Sequence, residues 1–257
     1  MKKLPQNKNM SDVSKWIVVV GQSLSFPSHP FLIPFSSISH PFLIACIVFA
    51  YEFKTTRPIW NALKLQPVLS DEVQCFKALV LLHKLTTGGP KITLQEAIEE
   101  SSFFDHCARY SNFGSSYSPV IQAYVKYLLQ KLEFHKSHPA FTGAFDFEEY
   151  QSLKRVNDPN EGYLVISDLM DLQKKLDAFQ KTVFSNFRPS HHNECKISSL
   201  VPIIEESYGM FKFQTSMLRA MFKSLDDSVE ILLPLQEQYI THFRNLKKFY
   251  EECSNIK

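Results

Sequence analysis

Glycine is scarce in this sequence, and its scarcity argues against several kinds of site. Only 7 glycines occur among the 257 residues, and neither G-x-G-x-x-G nor G-x-x-x-x-G-K-[ST] is present. Both patterns need glycine at fixed spacing so that the backbone can approach a phosphate group. The sequence therefore argues against most nucleotide-driven enzymes.

The net charge and the cysteines indicate which partners and which cellular compartment to expect. The net charge is only +2, so no global positive field draws the chain to nucleic acid, and we expect no nucleic-acid partner. No apolar segment follows a short basic start, so we expect no signal peptide. The five cysteines form no C-x-x-C pair, which is typical of a reducing cytosol. They are Cys46, Cys75, Cys107, Cys195 and Cys253.

Side chains able to do catalysis or bind metal do not form a known motif. The densest group is His191, His192, Glu194 and Cys195, whose spacing does not match the usual zinc patterns. His83 lies inside an apolar helical pattern, where a hydrogen-bonded core histidine is the default interpretation. We therefore predict that the chain is not an enzyme and holds no metal or cofactor.

Helical hydrophobic spacing begins near Asp71 and continues to the end of the sequence, without a convincing alternating strand. Asp71 and Glu72 place acids in a first turn, and Gly88-Gly89-Pro90 is a strong stop signal. The pattern predicts a helix between these points that is apolar nearly all round and lies in the middle of a stack.

Two further helix starts are predicted from their capping residues. Thr93 to Glu96 has the spacing of a capping box, in which each side chain bonds a free backbone amide. Ser118-Pro119 predicts a start with the serine as cap and the proline at the first helical position.

Later helices are predicted from apolar residues at steps of three and four. One seam comprises Leu169, Leu172, Leu176, Phe179 and Val183. A long apolar run from Ile197 to Phe222 is interrupted only by Pro202 and Gly209. The last helix opens at Pro234, with an apolar face of Leu235, Tyr239, Phe243, Leu246 and Tyr250. Short polar connections between such helices predict an all-α bundle or helical solenoid.

The N-terminal segment departs from this pattern. Residues 16–51 contain no Lys, Arg, Asp or Glu, and residues 28–33 (SHPFLI) recur as residues 39–44. A membrane anchor from Phe31 to Tyr51 is one alternative, but prolines interrupt the roughly 20 apolar helical residues that a span needs. An exposed apolar interaction loop and a tolerated insertion are the other two alternatives.

Ordered blocks over four-fifths of the chain match one family. They are ACIV at 45–48, DEVQCFK at 71–77, LHK at 82–84, GSSYS at 114–118, YVKYL at 124–128, DPNEGY at 158–163, ECKIS at 194–198, ESYG at 206–209 and SMLRAM at 216–221. On these blocks the stretch from Ala45 to Asn255 closely resembles the ANTH domain of the huntingtin-interacting-protein-1-related family, in its fungal branch.

The resemblance implies a fold and a set of partners. The implied fold is all-α, a right-handed superhelical stack of antiparallel helices of the ANTH/ENTH solenoid type, with most of the ANTH domain in residues 45–257. The implied ligand is phosphatidylinositol 4,5-bisphosphate in the inner leaflet of the plasma membrane, and an epsin-type ENTH domain is the implied co-assembling partner. Clathrin light chain and F-actin are implied partners of later domains that these residues do not include, which implies a peripheral location at clathrin-coated pits and cortical actin patches.

The family's lipid motif is the main departure. That motif is a lysine, nine residues, and then Lys-x-Lys/Arg-His/Tyr, because converging cations neutralise a multiply charged headgroup. Counting back from Ala45, its last four positions fall on Ser39, His40, Pro41 and Phe42, and none matches. We therefore interpret residues 1–44 as an aberrant segment in which a gene-model artefact or variant exon replaces residues 20–44, with Met10 as a plausible original initiator.

Two functional hypotheses follow. In the first, the chain keeps weak lipid binding through its remaining N-terminal cations, each of which contributes about 1 kcal/mol beside an anionic leaflet. These candidates are Lys2, Lys3, Lys8 and Lys15. In the second, it is a lipid-independent scaffold that binds epsin-type partners. Loss of the ordinary first helix also predicts lower stability than in a family member with a basic start.

Overall fold

The computed structural model describes residues 35–111, 116–146, 159–188, 193–224 and 229–256. Within these ranges the chain forms nine α-helices, two short 3-10 segments (Val68–Ser70 and Val229–Leu232) and no β-strand. The helices are α1 (Phe35–Phe53), α2 (Arg57–Leu65), α3 (Glu72–Gly88), α4 (Lys91–Glu99), α5 (Ser101–Tyr110), α6 (Ser118–Ser137), α7 (Pro159–Ser185), α8 (Glu194–Ser224) and α9 (Leu233–Ser254). The predicted all-α fold is confirmed.

From α3 onward, helices consecutive in sequence are neighbours in space. α6 packs between α5 and α7, and α7 also contacts α8 and α9. Side-chain hydrogen bonds pair Ser207 with Tyr250 and Thr215 with Tyr239. Because the later residue of α8 meets the earlier residue of α9, these two helices are antiparallel, as helices joined by a short connection usually are.

Helix α3 occupies the middle of the stack, as its all-round apolar pattern predicts. The side chain of Asp71 accepts a hydrogen bond from the amide of Gln74 at 2.8 Å and caps the helix. The helix ends at Gly88, and Gly89 follows in extended conformation. α3 contacts α1, α6 and α8, so the later helices assemble around it.

Both predicted side-chain caps are wrong. α4 already begins at Lys91, and the hydroxyl of Thr93 donates back to the carbonyl of Pro90 at 2.8 Å, so the capping box does not form. α6 begins at Ser118 itself, which leaves Tyr117 in the cap position without a side-chain cap bond. Pro119 still lies in the first turn, where its missing N–H is not needed.

The predicted apolar seam of α7 is confirmed, because all five of its residues are fully buried. α8 runs unbroken through Pro202 and Gly209. In α9, Leu235 and Leu246 are buried as predicted, whereas Phe243 is 51% exposed. The predicted apolar face of α9 therefore lies only partly in the core.

A turn after α6 fits against α3 and α8 through two glycines. A Cβ at Gly143 would lie 1.9 Å from the carbonyl oxygen of Thr86, and one at Gly209 would lie 2.4 Å from that of Phe145. Phe145 is buried and has a φ of 54°, in the left-handed region. Backbone thus contacts backbone at both points, which only glycine permits.

Candidate functional site

The lipid-binding positions predicted from sequence are only partly within the described residues. The four candidate lysines are outside them; these are Lys2, Lys3, Lys8 and Lys15. Ser39, His40 and Pro41 lie in the first turns of α1, and half-buried Phe42 follows them and packs against the core. The structure therefore places the last four motif positions near the beginning of a helix that packs on the domain.

Apolar packing holds α1 in place. Its buried residues recur at helical steps: Leu43, Cys46, Phe49 and Ala50. Ile47 contacts the C-terminal end of α3, where a Cβ added at Gly88 would lie 3.3 Å from the Cδ1 of Ile47. α1 thus lies against the C-terminal end of α3 and also contacts α8.

A carboxylate from α4 fixes the start of α2. Glu96 accepts hydrogen bonds from the hydroxyl of Thr55 at 2.7 Å and from both the amide and the hydroxyl of Thr56. The guanidinium of Arg57 lies 3.6 Å from the same carboxylate and 2.7 Å from that of Glu99. Glu96 therefore caps α2 from another helix, which explains why it does not close a capping box in its own.

A buried polar network joins α3, α6 and α8 in the centre of the domain. Its side chains are His83 and Thr87 of α3, Tyr124, Tyr127 and Lys131 of α6, and Glu206 of α8. All except Thr87 are at most 1% exposed. Polar groups are buried in this way when each has a hydrogen-bond partner.

The carboxylate of Glu206 is the centre of this network. It accepts a hydrogen bond from the Nε2 of His83 at 2.9 Å and from the hydroxyl of Thr87 at 2.6 Å. The Tyr127 hydroxyl and the Lys131 ammonium also donate to it. Four donors from two helices thus converge on one side chain of a third.

The proton positions follow from the partners. Since Glu206 accepts at Nε2, that nitrogen of His83 carries the hydrogen, and Nδ1 accepts from the hydroxyl of Tyr124 at 2.8 Å. Burial lowers the pKa of His83, although Glu206 opposes the shift, so the imidazole is neutral. Burial alone raises the pKa of Glu206, but the neighbouring His83 and Lys131 hold it below its ordinary value, so the carboxylate is ionised.

The network is structural rather than catalytic. A histidine, a carboxylate, a lysine and two tyrosines are the groups that acid–base catalysis uses. Here, however, all five are enclosed in the core, so no substrate contacts them. Their partners satisfy them within the domain, which is what a core network requires.

The structure does not bring together the four residues that were considered as a metal site. His191 and His192 lie outside the described residues. Glu194 and Cys195 open α8, and burial raises the pKa of the Cys195 thiol. Across the described ranges, no three His, Cys, Asp or Glu side chains are grouped so that they could hold a metal ion.

The alternative of a membrane anchor begins at Phe31, before the first described residue. None of the helices described is long and apolar enough to span a bilayer.

Comparison with known proteins now identifies the fold. The family model of the ANTH domain matches residues 40–257. The chain belongs to the ANTH domain family. Members of the ANTH and ENTH class are non-enzymatic lipid-binding adaptor domains, which confirms the prediction that the chain is not an enzyme. The boundary predicted at residue 44 stays a prediction.

Relatives and solved structures agree with this membership. The chain is 46% identical over 216 residues to the endocytosis protein end4 of Schizosaccharomyces pombe and 45% identical over 217 residues to protein SLA2 of Saccharomyces cerevisiae, each match covering 83% of the chain. It spans only 20% and 22% of those proteins' lengths. It is also 22% identical over 221 residues to human huntingtin-interacting protein 1, covering 82% of the chain and 21% of that protein.

Two solved structures are close in fold. The ENTH domain from epsin-2 in complex with phosphatidylinositol 4,5-bisphosphate matches with a TM-score of 0.86 and 44% identity, covering 98% of this chain and 95% of that one. The endocytic adaptor complex AENTH matches with a TM-score of 0.79 and 39% identity, covering 95% of this chain and 94% of that one. Both values support an ANTH/ENTH-type solenoid.

Sequence reasoning did not anticipate the central role of Glu206. The signal was present, because Tyr124, Tyr127 and Lys131 recur at steps of three and four and therefore share one face of α6. A lysine on a face otherwise buried in the core requires a buried partner. The partner itself lies 75 residues further along the chain, and helical periodicity does not connect positions that far apart.

Proposed function

We propose that this chain is the membrane-binding domain of an endocytic adaptor and that it binds phosphatidylinositol 4,5-bisphosphate at the inner plasma membrane. The observation that carries the proposal is the ANTH match over residues 40–257. The similarity to an ENTH domain in complex with that lipid supports it. Peripheral binding at clathrin-coated pits and cortical actin patches belongs to the same proposal.

The proposed lipid affinity is weaker than that of a domain with the full basic motif. Ser39, His40, Pro41 and Phe42 supply no lysine or arginine where the motif expects them. The remaining lipid-binding candidates are Lys2, Lys3, Lys8 and Lys15. Such cations attract anionic lipid without recognising the geometry of one headgroup.

Co-sedimentation with vesicles tests this proposal. We expect more protein to sediment with phosphatidylcholine vesicles that contain phosphatidylinositol 4,5-bisphosphate than with vesicles that lack it. Replacing the four N-terminal lysines with glutamine should abolish the difference. Equal sedimentation of the unmodified chain with both vesicles would overturn the proposal.

A gain-of-function variant makes the same test sharper. Ser39→Lys, Pro41→Lys and Phe42→His together restore the last positions of the motif, and we expect them to increase binding to the bisphosphate vesicles several-fold. Since Phe42 packs against the core, the variant carrying only the first two changes is measured beside it. A matched variant with lysines at exposed Gln95 of α4 and Ser102 of α5 adds the same charge elsewhere and should add less.

Partners are proposed from the same relationships. We propose that the chain co-assembles with an epsin-type ENTH domain, with support from its similarity to the AENTH complex. We also propose that the full-length protein links clathrin light chain to F-actin through later domains. The endocytic relatives extend far beyond the matched region, which leaves room for such domains.

The lipid-independent scaffold is the second candidate function, and the missing basic motif is the observation that favours it. In this alternative the stack of helices binds an epsin-type ENTH domain directly. Pull-down of a purified ENTH domain in the absence of lipid would support it, whereas capture only on bisphosphate vesicles would count against it.

Sequencing the transcript across residues 20–44 establishes whether the charge-free segment is genuine.

A further inference from the structure

The outer side of the contact between α8 and α9 exposes a cluster of apolar side chains. Phe211 stacks on Tyr239 with 5.0 Å between ring centroids and on Phe243 with 5.9 Å. Tyr208, one turn before Phe211, is 58% exposed, and Ile240 and Phe243 are 40% and 51% exposed. We call Tyr208, Phe211, Ile240 and Phe243 the seam patch. Exposed apolar clusters of this kind usually mark an interaction surface.

Hydrogen bonds make the seam patch a fixed surface. The hydroxyl of Tyr239 pairs with that of Thr215 at 2.8 Å on one side of the patch. On the other side, the hydroxyl of Tyr250 pairs with that of Ser207 at 2.8 Å. Both ends of the seam are thus anchored to α8, so a partner meets the aromatic rings already in position.

Cations surround the patch. The ammonium of Lys212 lies 5.3 Å from the centre of the Tyr208 ring. Arg244 and Lys247 follow Ile240 and Phe243 by one helical turn, which places them beside the patch on α9. The nearby acids are Glu205 on α8, which interacts with Lys84 of α3, and Glu237 and Glu251 on α9, the latter 3.9 Å from Lys247. With Lys84 included, four cations against three acids leave a small positive excess around exposed aromatic rings.

We propose that the seam patch is a second membrane contact that inserts at the headgroup level of an anionic bilayer. Aromatic rings and lysine side chains are enriched at that level because one part of each is apolar and the other is hydrated or charged. The inference rests on the proposed function, since phosphoinositide binding would hold the domain at a bilayer that the patch alone binds only weakly. α8 also packs against α1, the helix that carries the last four motif positions. Two contacts would fix the domain's orientation on the bilayer, which one headgroup cannot do.

Vesicles without phosphoinositide separate this contact from headgroup binding. We expect the unmodified chain to bind vesicles of phosphatidylcholine and phosphatidylserine weakly, and Phe243→Ser to bind them about tenfold less, because a half-exposed aromatic side chain no longer leaves water. Tyr110→Ser is the matched control, since Tyr110 is 53% exposed on the distant helix α5. The increase in binding on adding phosphatidylinositol 4,5-bisphosphate tests the proposed function separately, in both the unmodified chain and the variant.

A fluorescence measurement tests insertion directly. The added indole of Phe243→Trp should be quenched by brominated lipid in the same vesicles, whereas that of Tyr110→Trp should not. The proposal is overturned if Phe243→Ser and Tyr110→Ser bind equally, or if brominated lipid leaves the emission of the Phe243→Trp variant unchanged. It is also overturned if Phe243→Ser keeps full vesicle binding but no longer captures a purified ENTH domain, because the patch is then a protein-docking surface.

Discussion

Glu206 of α8 accepts a hydrogen bond from His83 of α3 at 2.9 Å while the ammonium of Lys131 donates to the same carboxylate. Changing Glu206 to glutamine leaves the Lys131 cation buried without an opposite charge. We expect the free energy of unfolding to fall by about 3–5 kcal/mol, as when one partner of a buried ion pair is removed. Urea denaturation followed by circular dichroism measures the change.

Two controls accompany this prediction. Glu205→Gln alters the neighbouring, exposed carboxylate and should change stability by about 0.5 kcal/mol or less. The double variant Glu206→Gln, Lys131→Met removes both charges and should recover part of the loss. A single variant as stable as the unmodified chain would show that the network does not hold the three helices together.

The cap that Glu96 provides to α2 gives a second prediction. Glu96→Ala removes the acceptor for both hydroxyls of Thr55 and Thr56 and for the amide of Thr56. We expect a loss of about 1–3 kcal/mol, since buried donors are left without a partner. Hydrogen exchange should show faster opening of α2 than of α3.

The neighbouring ion pair is the control for that variant. Glu99 lies 2.7 Å from Arg57, but both side chains are more than half exposed. Glu99→Ala should therefore cost at most about 1 kcal/mol, the usual contribution of an exposed pair. Equal effects of the two substitutions would contradict the role of Glu96 as a cap.

Stability should fall in mild acid because of a buried histidine. Burial lowers the pKa of His135 to about 3, and nearby Lys131 adds to the shift. A folded pKa below the unfolded value contributes stability that is present above about pH 6.5 and lost as the pH falls towards 3. Each pH unit within this window contributes about 1.4 kcal/mol, so we expect a loss of about 2 kcal/mol between pH 6.5 and pH 5 from this group.

Replacing the histidine tests the assignment. Thermal unfolding of His135→Gln between pH 7 and pH 5 should show a shallower pH dependence than the unmodified chain. His106→Gln is the control, because His106 is an exposed residue of α5. An unchanged slope in the His135 variant would mean that other groups cause the acid sensitivity.

The glycines provide a fourth prediction with an internal control. A Cβ at Gly143 would lie 1.9 Å from the carbonyl oxygen of Thr86, so Gly143→Ala forces backbone apart and should cost about 1–3 kcal/mol or more. Gly88→Ala meets only the flexible end of Ile47 at 3.3 Å. It should be close to neutral or stabilising, because alanine favours helix. Differential scanning calorimetry of the two variants decides between these outcomes.

Local signals predicted much of this fold and few of its long-range contacts. The cap at Asp71, the end of α3 at Gly88 and the buried seam of α7 all follow from residues close in sequence. The capping box failed because Glu96 bonds residues 40 positions earlier, and tertiary contact outweighed the local motif. Phe243 fits the apolar face of α9 but lies at the exposed edge of the contact between α8 and α9. Helical periodicity does not distinguish such an edge position from a core position.

The candidate lipid site was predicted from the family motif alone. The structure adds that its last positions lie on α1, a helix packed on α3 and α8. It does not describe the four candidate lysines, so their role stays a prediction. The seam patch had no sequence signal beyond helical spacing, because its exposure depends on how α8 and α9 pack.

The distances along the chain between the partners of Glu206 have a consequence for synthesis. Lys131 precedes it by 75 residues and His83 by 123. When the ribosome has completed only α6, Lys131 has no carboxylate to pair with. Burying its ammonium group at that stage would therefore be unfavourable. In ordinary repeat solenoids each repeat contacts only its neighbours, so folding can begin at any repeat and spread from there. The buried network of this domain can instead form only after α8 has left the ribosome, because Glu206 supplies its carboxylate.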